Sequence, residues 1–162
     1  MDAGAFESFV AANFEPVRRA LALALGDPDR AEDLAQEAFA RAFGRWAAVS
    51  AMERPVAWVY VVALNHARRD LRQEHRPWPW PPPVAAAVAE VDTAGAVTTS
   101  VSLASALALL PVRQRTAVVL RYLADLTNAQ VAEAMGCAEG TVKATIHAAL
   151  AHLRIELEDD EL

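Results

Sequence analysis

The stretch Thr127–Arg154, "TNAQVAEAMGCAEGTVKATIHAALAHLR", decides how the rest of the chain is read. Thr127, with Gln130 three residues on, is a capping box that opens a short helix, and Gly136 ends it. A second helix begins near Glu139 and continues to about Glu158. Its inward face is Val142, Ile146, Ala149, Leu150 and Leu153, spaced three and four apart. Two short amphipathic helices around a tight turn outline a helix-turn-helix, whose second helix can enter a major groove. Thr141, Lys143, Ala144, Thr145 and His147 form that outward surface. A helical hairpin serving only as core would carry the same pattern. Charge is sparse: between Gly140 and Leu153 the only permanent positive charge is Lys143, which is the only lysine of the chain. Cys137, at the turn, suits a small apolar plug, and as the single cysteine it excludes an intramolecular disulfide or a Cys-rich metal site.

Helical patterning extends upstream. Val101–Leu110 reads as one helix, and Pro111 opens another that runs to about Leu123. At the other end of the chain, a helix over Ala5–Leu25 stops near Gly26. Asp27 as N-cap and Pro28 at the first helical position start the next, to about Val49. Its apolar stripe is Ala31, Leu34, Ala35, Ala38, Phe39, Ala42, Phe43 and Trp46, with Asp33, Gln36 and Glu37 away from its centre. A third helix runs from Pro55 to about Gln73, apolar through Leu64 and basic beyond.

Between these groups, "RPWPWPPP" (Arg76–Pro83) holds five of the nine prolines. Proline breaks helices, so 77–101 reads as a linker, stiff at first and flexible later. Its 25 residues reach ~80 Å fully extended, or ~25–30 Å as a coil. A spacer is the usual meaning of such a run; a peptide-recognition motif is the other. The expected fold is all-α: two small helical domains, 1–76 and 102–162, held apart by the Pro-rich linker.

Composition agrees. A chain of 162 residues forms one domain or two very small ones. Many of its hydrophobic residues are alanine, which favours helix, and strand-like alternation is absent. The formal charge of −6 argues against a nonspecific nucleic-acid binder, so any DNA surface is local. "MDAGAFESF" lacks the apolar region of a signal peptide, and no apolar run approaches the ~18 residues of a membrane span. A cytoplasmic protein without membrane insertion is expected. Catalysis has no foothold: no nucleophile lies beside a base, and there is no glycine-rich phosphate loop. His66 and His75 lack Cys or His partners at ligand spacing. Neither an enzyme nor a metal or other cofactor is expected.

A basic run, "NHARRDLRQEHR" (Asn65–Arg76), spaces Arg68, Arg72 and Arg76 at i, i+4 and i+8. Such a ladder can track a phosphate backbone, and Trp58 and Tyr60 upstream suit unstacked bases. A solvated helix end answering the helix dipole accounts for the same arginines.

Together these pieces resemble the extracytoplasmic-function sigma factors of bacterial RNA polymerase. "AEDLAQEAFARAF" (Ala31–Phe43) looks like the region 2 helix that docks on core polymerase. "PVAWVYVVALNHARRDLR" (Pro55–Arg72) is similar to the segment that melts the −10 element. Leu107–Arg154 resembles region 4, which reads the −35 element. The resemblance implies polymerase docking by Asp33, Gln36, Glu37 and Phe39. It implies −10 contacts by Trp58, Asn65, Arg68, Arg69, Arg72 and Arg76. On the −35 side it implies Thr141, Lys143, Thr145 and His147, with Arg113 and Arg115 as phosphate contacts. Core polymerase, promoter DNA and an anti-sigma factor are the implied partners. The chain departs from the family's pattern in four respects. The Asp expected four residues after Asn65 is Arg69, with Asp70 displaced by one. Val61 and Leu64 stand where basic residues are common. Arg is lacking near Thr145 and Ala148, and Ala138 replaces a serine cap. On this reading Lys143 carries most of the −35 contribution alone. Two alternatives stay open: a degenerate sigma fold acting as a decoy or platform, and a two-component-type regulator. The second would need an α/β receiver domain, against which the helical N-terminal half argues.

Overall fold

The computed structural model describes residues 2–74 and 97–159, with side-chain surroundings for 2–74 and 103–154. Every regular element among them is helical. Helix α1 spans Ala3–Leu25; the Asp2 carboxylate accepts from the Ala5 amide at 3.2 Å, and Gly26 closes the helix in the left-handed region at φ 70°. Helix α2, Pro28–Gly44, is capped by Asp27, which accepts from the Arg30 amide at 3.1 Å. The expected continuation to Val49 is broken at Arg45, and a short α3 covers Trp46–Ser50. The break turns Trp46 into the core, where its ring lies 5.2 Å from Phe6 and 5.0 Å from Phe9. Phe43, expected in the buried stripe, stays 45% exposed and touches only the edge of this aromatic cluster through Phe6.

Helix α4, Pro55–Gln73, opens on proline and buries Val59, Tyr60, Ala63, Leu64, Ala67 and Leu71. It packs on α2, and α2 packs on α1. Helix α5, Val97–Ala108, begins four residues before the sequence-based boundary. The remaining part of the expected linker, 77–96, lies outside the described residues, as do His75 and Arg76.

After Pro111, α6 (Val112–Val118) passes into a π-helical turn, Val119–Leu123. There the Ala124 amide donates to the Val119 carbonyl at 3.0 Å, and Asp125 ends the turn at φ 56°. The capping box is formed as read: the Thr127 hydroxyl accepts from the Gln130 amide at 3.2 Å. In return, the Gln130 side-chain oxygen accepts from the Thr127 amide at 2.9 Å. Helix α7, Asn128–Met135, ends at Gly136 with φ 67°, and α8 spans Glu139–Asp159. Val142, Ile146 and Ala149 face inward as read and Leu153 is half-buried, but Leu150 is 44% exposed.

The two halves are not held apart. Helix α1 lies against α6 and the π-helical turn, and α4 lies against α7. One continuous apolar core runs from Val17 in α1 to Ala149 in α8. Across the seam Leu21, Leu25, Leu107 and Leu120 are almost fully buried. Each such fully buried side chain contributes about 1.5–3 kcal/mol of burial energy relative to an exposed one.

Candidate nucleic-acid interface

Three surfaces were expected to carry function, and the structure positions each differently. On α2, Asp33, Gln36 and Glu37 point outward together. Glu37 accepts from Arg41 Nε at 2.9 Å and lies 3.7 Å from His66 Nε2. Gln36 donates to Glu32 at 3.3 Å. This leaves an acidic, solvated ridge. Phe39 is not on it. The residue is 4% exposed, and its ring packs at a tilt against Phe9 and Phe14, at 5.6 and 5.5 Å between centroids. Helical periodicity puts Phe39 on the buried stripe of α2.

On α4, the outward cationic face is Asn65, Arg69 and Arg72, which with Gln73 line an open depression of about 470 Å³. Arg68 does not share that face. Its guanidinium donates to the Asn65 side chain and lies under Gly136, where a Cβ would overlap it. Burial first, then the Arg72 charge, pulls the Arg68 pKa down. The ladder read as Arg68, Arg72 and Arg76 is therefore split, because its first member turns into the seam. Asp70 is taken up locally as an ion-pair partner of Arg30. Trp58 is half-buried in a cleft of about 310 Å³ with Met52, Arg54, Gln130 and Glu133. Tyr60 is a core residue, 3% exposed, and burial raises its phenol pKa. It is out of reach of unstacked bases.

On α8, Thr141, Lys143 and His147 are exposed. Thr145 is half-buried and its hydroxyl donates back to the Thr141 carbonyl at 2.7 Å. That bond occupies the donor a base edge would use. Arg113 is exposed, but Arg115 is 1% exposed. Its Nε donates to the Ala24 carbonyl at 3.0 Å and its Nη1 to the Ala108 carbonyl at 3.4 Å. So enclosed, the Arg115 side chain is not presented to solvent in this conformation.

One residue was missed. Arg121, on the π-helical turn, lies 5.6 Å from the Tyr122 ring centroid. With Tyr122 and Asn128 it lines the same depression as Lys143, Ile146, His147 and Leu150. Lys143 is therefore accompanied by a second cation on one surface. The signal in the sequence was weak: a polar pair, Arg121–Tyr122, inside an apolar run. A 3.6-residue period places it wrongly, since the π-helical turn adds a residue.

Comparison with known proteins gives two family matches. Residues 9–77 match sigma-70 region 2, and residues 100–153 match sigma-70, region 4. The RNA polymerase sigma-E factor of Streptomyces avermitilis is 31% identical over 157 residues, covering 97% of this chain and 87% of that protein. The ECF RNA polymerase sigma factor SigL of Mycobacterium tuberculosis is 32% identical over 138 residues, 83% of this chain and 78% of SigL. Among solved structures, the sigma factor RpoE of Bartonella quintana, in complex with the anti-sigma factor NepR, superposes with a TM-score of 0.70. It is 20% identical and covers 94% of this chain and 96% of that one. CnrH, in complex with the cytosolic domain of CnrY, gives a TM-score of 0.62 at 23% identity, covering 98% and 91%. At these identities the two structures speak to the fold alone.

Proposed function

The chain belongs to the extracytoplasmic-function sigma factors of the sigma-70 family, and from that premise we propose how its surfaces divide the work of promoter-directed initiation. As a sigma factor it binds core RNA polymerase and directs it to promoter DNA. The acidic ridge Asp33, Gln36 and Glu37 docks on core polymerase, with Phe39 as its internal support. Asn65, Arg69 and Arg72, joined by Arg76 and, once uncovered, by Trp58 and Arg68, hold the −10 strand. Thr141, Lys143 and His147, with Arg113 and the newly identified Arg121, face the −35 element, and Thr145 braces that edge. Residues 1–76 and 102–162 are the two functional units, joined through 77–101. The protein acts in the cytoplasm, without catalysis of its own. Among the described residues no helix is long and apolar enough to cross a membrane. An anti-sigma factor is a further partner to be sought.

The observation that supports this division is the coexistence on one chain of a solvated acidic ridge and two separate cationic helix faces. Reconstituted transcription tests it. Full-length protein with core enzyme is expected to yield discrete transcripts from a library of promoter fragments, and core alone none. Core binding without any promoter-specific transcript would refute the initiation role. That outcome belongs to the second reading, a degenerate sigma fold that reads little DNA. The self-bonded Thr145 hydroxyl and the buried Arg115 favour it.

A further inference from the structure

We infer that His66 is a positioning residue of the acidic ridge: its imidazolium draws Glu37 inward and so weakens docking on core polymerase as pH falls. The effect on docking rests on the reading of that ridge as the docking surface. His66 lies on α4, on the side that meets α2. Its Nε2 is 3.7 Å from the Glu37 carboxylate, too far for a hydrogen bond, and is buried with no hydrogen-bond partner among the described residues. One turn further along α4, Asp70 is ion-paired with Arg30, which stands two turns before Glu37 on α2. The two helices therefore meet through a polar seam as well as an apolar one: Arg30 with Asp70, and Glu37 with His66.

In a neutral imidazole this Nε2 is either a donor without an acceptor or a lone pair turned towards a carboxylate. Neither is favourable for a buried atom. Protonation makes it a charged donor facing an anion, and a closing of about 0.5 Å brings the pair to hydrogen-bond distance. Histidine is the side chain that changes charge between about pH 5 and pH 8. The surroundings leave Glu37 as the group that answers it. From α2, Glu37 faces the ring with the exposed Arg41 behind it, and Arg30 is held by Asp70. On α4 itself, Arg69 is exposed at the rim of the −10 depression. Helix α3 carries no titratable side chain, and the one on α7, Glu133, lies in the Trp58 cleft. Of the docking carboxylates, Asp33 and Glu37, only Asp33 then keeps its full charge.

Two measurements on the full chain test this role. In the first, binding of fluorescently labelled protein to core polymerase is followed by anisotropy at about pH 8 and about pH 6. The affinity of the unsubstituted chain is expected to fall about fivefold more between them than that of His66→Gln, the size of one partly exposed ion pair. Comparing the two chains cancels titration of the polymerase itself, and the same result with His66→Asn sets aside the size of the replacement. The second needs no polymerase. A double-mutant cycle of His66→Gln and Glu37→Gln, read by urea unfolding, is expected to show coupling of about fivefold in the unfolding constant at the lower pH and none at the higher. An equal pH response with and without His66, or no coupling at the lower pH, overturns the inference. Failure of the ridge reading looks different: Glu37→Gln would then bind core polymerase at the higher pH as tightly as the unsubstituted chain, while the coupling persists. That outcome overturns the effect on docking.

Discussion

Lys143 and Arg121 show what a residue's neighbours do to its expected weight. In sequence they are far apart, and Lys143 looks unaided; in the fold they line one depression. If exposed Lys143 and half-buried Arg121 both met a phosphate backbone, they would share the electrostatic work, each releasing about one counterion. Lys143→Ala and Arg121→Ala are each expected to weaken binding to −35 duplex DNA several-fold and to lower the salt slope by about one. The double variant loses about two. Anisotropy titrations over a range of salt concentrations check this, and a Lys143→Ala variant that alone abolishes binding would restore the unshared role. Arg115 carries the opposite lesson: the same side-chain type, two residues from exposed Arg113, is enclosed by the Ala24 and Ala108 carbonyls.

At the scale of elements, the start and stop signals were legible where they are local. Asp27, the Thr127–Gln130 box, Gly26 and Gly136 do what their chemistry requires within four residues of themselves. The errors fall where a helix is interrupted for a distant partner. Arg45 breaks α2 so that Trp46 can join Phe6 and Phe9, and the π-helical turn follows Val118 without a breaker residue. Helix α8 lacks an N-cap side chain: the Ala138 carbonyl accepts from the Val142 amide at 3.2 Å, but its methyl offers nothing to the orphan amides. Ala138→Ser is expected to stabilise the protein by about 1 kcal/mol. Urea unfolding monitored by circular dichroism reads it as a higher midpoint at unchanged slope. An unmoved midpoint would mean that this end is already satisfied.

At the scale of the whole molecule, the apolar seam matters more than the covalent link. Because Leu21, Leu25, Leu107 and Leu120 are buried between and beside the halves, cutting the chain is not expected to separate them. A protease site inserted between Ala85 and Ala86, once cleaved, should leave both fragments eluting as one particle in gel filtration. Adding Arg54→Ala should shift part of the material to free fragments. Separation of the unsubstituted fragments would show that the linker, and not the seam, holds the molecule together.

The helical class, the main helix ends, the capping box, the acidic ridge and the family were legible in the residues alone. Those follow from periodicity, caps and short motifs, all of which act within a few residues. The docked helices are what make Phe39 and Tyr60 core, bond Arg115 and Arg54 to carbonyls of the other half, set Gly136 against Arg68 and bring Arg121 to the same depression as Lys143. The difference is one of range. A helix period states that a side chain points inward or outward from its own axis. Which carbonyl a guanidinium finds some 70 or 90 residues away depends on how the two halves dock, and docking is set by the whole apolar seam at once.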